Sequence, residues 1–300
     1  MLHDTFAKRM ERTAHLGPGL PPVCRLGLAT RGNTNLRRAD VEHAIESGLQ
    51  YLNWCGKPDG MSRAVAGLGG QRKDVVVAVQ FKSRTADEAA QEFSWILEQL
   101  GTDYLDIATL YYVESEAERS EITAPGGAWE VLAARKRSGA LKMIGLTSHQ
   151  RSLAAGWAET RRPSSAAETG AAASSFDEQY RLDMLMIRYN AAHRGAEKDV
   201  FPVTRKRTMP VVTFTGLRWR ALLEATSDCP EGFDPPSAAE CYRFCLANPD
   251  VAVALAAPGD RSELEHTLTL LGDWRAPSED SYEAMRSHGD RVRRRAGVFW

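Results

Sequence analysis

The stretch Val75–Leu110, VVVAVQFKSRTADEAAQEFSWILEQLGTDYLDIATL, decides the fold. Its first run, Val75–Gln80, is apolar and rich in β-branched residues, without polar alternation. Such runs read as strands buried on both faces, as in a parallel sheet. From Ala86 to Leu100 the pattern changes. Ala89, Phe93, Ile96, Leu97 and Leu100 recur at three- and four-residue spacing, while Asp87, Glu88 and Glu92 fall on the other face. That is an amphipathic helix. A second apolar run, Tyr104–Leu110, follows at once, so the stretch reads as strand, helix, strand.

The same alternation extends in both directions. The predicted strands are Cys24–Leu28, Tyr51–Trp54, Val75–Gln80, Tyr104–Leu110, Met143–Leu146, Met184–Tyr189, Val211–Phe214 and Val251–Ala256. The predicted helices are Arg38–Ser47, Met61–Leu68, Ala86–Leu100, Ala128–Ser138, Gln150–Glu159, Lys198–Arg207, Ala238–Ala247 and Ser262–Leu271. Eight alternations predict an α/β fold, a closed (β/α)8 TIM barrel of roughly 250 residues. An open doubly wound sheet is the alternative. The segment after the first strand, Gly27-Leu28-Ala29-Thr30-Arg31-Gly32, lacks the glycine spacing of a dinucleotide-binding turn. The chain divides into a polar N-terminal extension (1–20), the barrel (21–285) and a C-terminal tail (286–300). Glu159 to Leu182 reads as an insertion and Thr226 to Ser237, with its prolines, as an ordered excursion. In the tail, Arg291, Arg293, Arg294 and Arg295 read as solvated, and Val298-Phe299-Trp300 as a docking element.

Basic and acidic residues nearly cancel, 38 against 39 in 300, for a net charge of -1. That gives no reason to expect nucleic acid or an anionic membrane as partner. Met1 to Leu20 is charged throughout, and no stretch approaches the roughly 20 apolar residues of a membrane span. The expectation is a cytoplasmic protein with a small-molecule substrate; the oligomeric state stays open. Cys24, Cys55, Cys229, Cys241 and Cys245 form no CxxC pair. Cys241 and Cys245 share a helix face without a histidine pair at ligand spacing, so they read as core thiols, and no metal site is expected.

A (β/α)8 barrel forms its active site at the C-terminal ends of the strands. There the sequence turns polar, aromatic and reactive. Asn53, Trp54, Cys55 and Asp59 follow the second strand, and Lys82 the third. Tyr111 and Tyr112 follow the fourth; Thr147, Ser148 and His149 the fifth. Arg188, Asn190, His193 and Arg194 follow the sixth; Phe214, Thr215, Leu217, Arg218 and Trp219 the seventh. Packing or capping accounts for each alone. Their arrival at one end of one barrel gives the set its weight.

The order of segments resembles the aldo-keto reductase superfamily from about Arg25 to Leu271. Gly48-Leu49-Gln50-Tyr51-Leu52-Asn53, Leu100-Gly101-Thr102-Asp103-Tyr104-Leu105-Asp106, Gly139-Ala140-Leu141-Lys142-Met143-Ile144-Gly145-Leu146-Thr147-Ser148, and Tyr189-Asn190 with Arg194 and Glu197 carry the resemblance. It implies hydride transfer between NADP or NAD and a carbonyl or alcohol, without a Rossmann fingerprint. It also implies an Asp, Tyr, Lys, His catalytic set. The matching positions here hold Asn53, a site near Pro58 with no tyrosine, Lys82 and Tyr111. By the same resemblance Thr147 and Ser148 meet the nicotinamide carboxamide, Phe214 stacks on its ring, and Thr215 and Leu217 continue the cofactor loop. Met186 replaces a glutamine, and Arg261 is the residue that could meet a 2′-phosphate.

Three readings stay open. The first is redox chemistry, with Lys82 lowering the Tyr111 pKa and Asp59 replacing the lost carboxylate. The second is a lyase or isomerase using Lys82, Tyr111, Cys55 and His149, with Trp54 and Tyr112 lining the substrate pocket. The third is a catalytically inactive barrel that binds a nucleotide or a partner, with no catalytic use of a cofactor.

Overall fold

The structure, a computed structural model, describes residues 10–30, 34–159 and 179–295. The tail motif Val298-Phe299-Trp300, Arg31, Gly32 and most of the 159–182 segment lie outside the described residues. Eight strands close a parallel barrel: β1 Leu26–Ala29, β2 Tyr51–Trp54, β3 Val76–Phe81, β4 Leu105–Leu110, β5 Leu141–Ser148, β6 Met184–Arg188, β7 Val211–Phe214 and β8 Val251–Ala256. Closure comes from β8 on β1, with Ala254 opposite Leu26 and Ala256 opposite Leu28. The open-sheet alternative is thereby excluded.

Strand residues alternate between two cores, as the pleat requires. Tyr51, Val76, Ala78, Ile107, Met143, Met184, Met186, Val212, Val253 and Leu255 fill the barrel's inside. Their neighbours Leu52, Val77, Val79, Leu146, Ile187 and Ala254 face the helices. Because both sides are buried, the strands read as continuous apolar runs.

Thr13–Ala14 pairs antiparallel with Val23–Cys24, and this hairpin is the barrel floor. Leu16 and Val23 join the inner core. The Arg25 guanidinium beneath donates to the carbonyls of Glu11 (3.1 Å), Leu246 (2.8 Å) and Val251 (2.7 Å). From Met10 onward the expected polar extension is therefore part of the barrel.

The helices are α1 Arg38–Glu46, α2 Gly60–Ala66, α3 Ala86–Leu100, α4 Glu116–Thr123, α5 Ala128–Arg137, α6 Arg151–Ala158, α7 Ala196–Asp199, α8 Phe201–Lys206, α9 Ala238–Ala247, α10 Arg261–Gly272 and α11 Glu279–Arg295. α3 has the predicted ends. Thr85 caps its start by accepting from the Glu88 amide, and Gly101, at φ 57°, ends it in the left-handed region. The expected helix Lys198–Arg207 is instead the pair α7 and α8. The break falls at Val200, and Pro202 starts α8, where its missing amide proton costs no bond.

The arginine-rich end is a helix docked through its other face: Arg293, Arg294 and Arg295 are exposed, as expected, and Arg291 is half-buried. α11 buries Tyr282, Met285, His288, Gly289 and Val292. Gly289 is required by the approach: a Cβ there would stand 2.2 Å from the Ala191 carbonyl oxygen. Arg194 pairs with Asp290 at 2.8 Å, and Arg291 lies 4.9 Å over the Phe233 ring. Among the described residues no helix is long and apolar enough to cross a membrane.

Candidate active site at the barrel mouth

Alternation fixes which side chains reach the mouth. Above the inner-core residues Tyr51, Ile107 and Met143 the next inward positions on β2, β4 and β5 are Asn53, Thr109 and, after Gly145, Thr147. All three are at most 1% exposed. Asn53 Oδ1, Thr109 Oγ1 and Thr147 Oγ1 have no hydrogen-bond partner within the chain. A buried polar atom left unsatisfied costs about 1–3 kcal/mol, so a ligand or water belongs against these groups.

Lys82 follows β3 and is exposed. Its backbone is fixed by Glu92 of α3, whose carboxylate accepts from the Lys82 amide (3.0 Å) and from the Ser83 amide (2.8 Å) and hydroxyl (2.6 Å). Arg84 then ties two strand ends together. Its guanidinium donates to the carbonyls of Lys82 (2.9 Å) and Tyr111 (2.8 Å) and pairs with Glu118 of α4 at 3.2 Å. The result places Lys82 Nζ 6.0 Å from the Tyr111 ring centre.

The Tyr111 phenol is nevertheless shifted up, contrary to the expectation that Lys82 lowers it. Burial dominates, followed by the charge and hydrogen bonding of Tyr112 beside it. The Tyr111 and Tyr112 rings stack at 4.0 Å, so the hydroxyl sits in an aromatic rather than an ionic setting. The file continues from Tyr112 to His149 (4.6 Å) and from His149 edge-on to Phe214 (5.5 Å). Tyr112 holds its place at φ 45°.

Asp59 does not replace the lost carboxylate. It is the N-cap of α2, accepting from the Ser62 amide at 2.9 Å, and makes no ion pair with Lys82. Trp54 is also elsewhere. It is fully buried on the helix side, stacks on Trp95 of α3 at 5.7 Å, and donates to the Lys57 carbonyl at 2.8 Å. Cys55 does lie at the mouth, where burial and then Asp59 raise its thiol despite nearby Lys82. Ser148 faces outward, its hydroxyl accepting from the Gln150 amide at 2.9 Å, so of the Thr147-Ser148 pair Thr147 alone is turned inward. Leu217 packs against the outer core.

Opposite Lys82 the rim is basic. Arg188 ends β6 and lies across from Phe214 in the strand register. One of its guanidinium nitrogens is 2.7 Å from His149 Nδ1. Burial and then Arg188 pull the His149 pKa down to about 4, so the ring is neutral at pH 7 and its Nδ1 accepts. Arg218, 2% exposed, stands in the loop after β7. Thr215 of that loop, at φ 61°, is anchored through its carbonyl, which accepts from Asn190 Nδ2 at 2.7 Å.

At the start of α10, Arg261 is exposed and engaged by Glu265 (2.6 Å) and Asp40 (3.4 Å). Asp260 caps the helix through the Glu263 amide, and the Glu263 carboxylate accepts from the Gly259 amide at 2.8 Å. Carboxylates thus surround the position expected to hold a 2′-phosphate. Sequence reasoning missed Thr109, Arg84, Glu92 and Glu118 as parts of the site. It quoted Arg188 and Arg218 at the strand exits without giving them a role. The signal for Arg188 was present: a charge at the inward position after Met184 and Met186.

The chain is a closed (β/α)8 barrel with polar groups gathered at this rim. The structure is similar to an aldo-keto reductase from Bacillus halodurans solved in its holo form. The TM-score is 0.69, with 96% of this chain and 98% of that one covered at 16% identity. The likeness shows the fold. No protein-family model and no curated protein matches the sequence.

Proposed function

We propose that the chain is a nicotinamide-dependent oxidoreductase that interconverts a small carbonyl compound and its alcohol, preferring NAD to NADP. The observation that carries this reading is the buried, unpartnered Thr147 hydroxyl at the position where the family resemblance puts the nicotinamide carboxamide. The half-buried Phe214 supplies a ring face on the same rim. These two residues would hold the nicotinamide end. Among the described residues the basic groups at the adenosine end are already paired, Arg261 with Glu265 and Asp40 and Arg220 with Glu263, and Asp260 lies beside them. An unphosphorylated ribose suits that end better than a 2′-phosphate.

When bound, a reduced nicotinamide supplies the hydride. The chain handles the proton. Tyr111 keeps its phenolic proton across the neutral range and is the proposed proton donor toward the substrate oxygen, a weaker acid than an ordinary tyrosine because burial raises its pKa. Lys82 would provide positive charge beside the same oxygen, and Asn53, standing where the resemblance implies an Asp, contributes no negative charge. His149 is neutral and packs the aromatic file rather than donating. A cytoplasmic setting belongs to this reading, since it keeps the buried thiols reduced.

Titrating the protein with NADH and NADPH, read by nicotinamide fluorescence, tests the reading. NADH should bind saturably and more tightly than NADPH. No binding of either removes it, and turnover of a carbonyl panel without any dinucleotide would favour the lyase or isomerase alternative. Tyr111→Phe should cut turnover by roughly a hundredfold or more if Tyr111 is the acid.

A further inference from the structure

We infer that His288 of α11 is a positioning residue: it holds the loop after β7, and through that loop the Phe214 face proposed to take the nicotinamide. His288 is 1% exposed. Its Nε2 stands 3.0 Å from the Leu222 carbonyl oxygen. A carbonyl only accepts, so Nε2 carries the proton and donates. Nδ1 is buried without a hydrogen-bond partner, as suits a neutral ring. Burial, the leading cause, also lowers the pKa of this imidazole. Phe233 packs on the ring with its centre 4.9 Å away.

Leu222 lies at the far end of the loop that begins with Thr215, and the backbone between them is unusual. Thr215 has φ 61°, and Arg218, Trp219 and Arg220 follow in a row at 50°, 56° and 75°. Left-handed backbone is unfavourable for such residues and persists where the surroundings impose it. The loop is held at both ends. At the far end His288 takes the Leu222 carbonyl, and the Leu222 amide donates to the Leu217 carbonyl at 3.3 Å. At the near end the buried Asn190 donates to the Thr215 carbonyl at 2.7 Å. The residue after Asn190 is Ala191, whose carbonyl lies against Gly289 of α11. Arg194 ties the same exit to Asp290 at 2.8 Å and to the Arg286 carbonyl at 3.2 Å. Both ends of one strained loop therefore rest, directly or through the β6 exit, on neighbouring residues of α11.

Phe214 directly precedes Thr215, and its carbonyl accepts from the Tyr189 amide at 3.4 Å. A displacement of Thr215 therefore carries the Phe214 ring with it. The other side of the mouth is held separately. Lys82 and Tyr111 are tied by Arg84, which pairs with Glu118 of α4. Loosening α11 should thus act on the Phe214 side and spare the proposed proton donor. Tyr282, Met285 and Val292 already bury α11 against the barrel through apolar contact. His288 adds a directed bond to loop backbone, which packing alone does not call for.

The dinucleotide half of this inference rests on the redox reading above; the loop half does not. His288→Phe keeps a ring against Phe233 and removes the donor, whereas His288→Gln keeps a donor. Amide hydrogen exchange of the full chain reads the loop without any ligand. In His288→Phe the Arg218, Ala221, Leu222 and Leu223 amides should exchange about tenfold faster or more. Amides of β1 and β4 should keep their wild-type protection, and His288→Gln should restore most of the loop's. In nicotinamide fluorescence His288→Phe should weaken NADH binding about tenfold, with kcat at saturating NADH within about twofold of wild type. Unchanged loop exchange in His288→Phe overturns the inference. So does a rise spread evenly over the barrel, which would make His288 a merely structural residue. A loosened loop with unchanged NADH affinity overturns the link to Phe214. A loosened loop in a protein whose wild type binds no NADH upholds the loop half and removes the redox reading instead.

Discussion

Arg84 is the residue that fixes Lys82 and Tyr111, the proposed catalytic pair, relative to each other. It donates to the carbonyls of both Lys82 and Tyr111 and pairs with Glu118, so three strand and helix ends meet on one guanidinium. Arg84→Ala should lower stability by about 1–3 kcal/mol, the worth of hydrogen bonds to a charged group. It should also lower kcat more than Lys82→Arg does, as urea midpoints and steady-state kinetics will show. His149 gives a second prediction. Burial and Arg188 carry its pKa from the ordinary 6.5 to about 4. Between those values the unfolded chain binds a proton that the folded chain does not. Stability therefore falls as pH drops from about 6.5 to about 4 and levels off below. His193 has the same shift and contributes alike. His149→Phe should make the fall shallower in urea midpoints measured across that range. Lys82 and Tyr111 were legible in the sequence because they follow apolar strands directly. Arg84 was not, because its partner Tyr111 lies 27 residues away and no periodicity encodes that reach.

Among the elements, the strands read most clearly, since two-sided burial makes each one an apolar run. α4 and α11 did not, for physical reasons. α4 buries only Ile122 and Thr123, at its end. α11 buries its residues at helical spacing, but His288 and Gly289 stand among them and mask the stripe. Gly289→Ala tests that docking directly. A methyl group there meets the Ala191 carbonyl at 2.2 Å, so α11 or the β6 exit must move. We expect a loss of about 1–3 kcal/mol, the usual cost of overpacking, in thermal or urea unfolding. Asp59→Ala should cost about 1 kcal/mol as a lost helix cap. It should leave the pH–rate profile unshifted, whereas a carboxylate paired with Lys82 would move it.

At the scale of the whole molecule, the barrel's floor and mouth have divided roles. The N-terminal hairpin and Arg25 close the floor with apolar contacts and carbonyl bonds, as stability requires. The mouth keeps buried polar atoms without partners at Asn53, Thr109 and Thr147. The sequence placed the mouth correctly but misjudged which of its residues face inward. Trp54 and Ser148 sit one position off the inward series of β2 and β5, and Asp59 is held by its helix. A crystal of the protein soaked with NADH measures the central claim most directly. The account predicts the nicotinamide ring against Phe214, its carboxamide within hydrogen-bond distance of Thr147 Oγ1, and C4 facing Tyr111 and Lys82. A dinucleotide bound away from the mouth, or a mouth without one at saturating NADH, would contradict it.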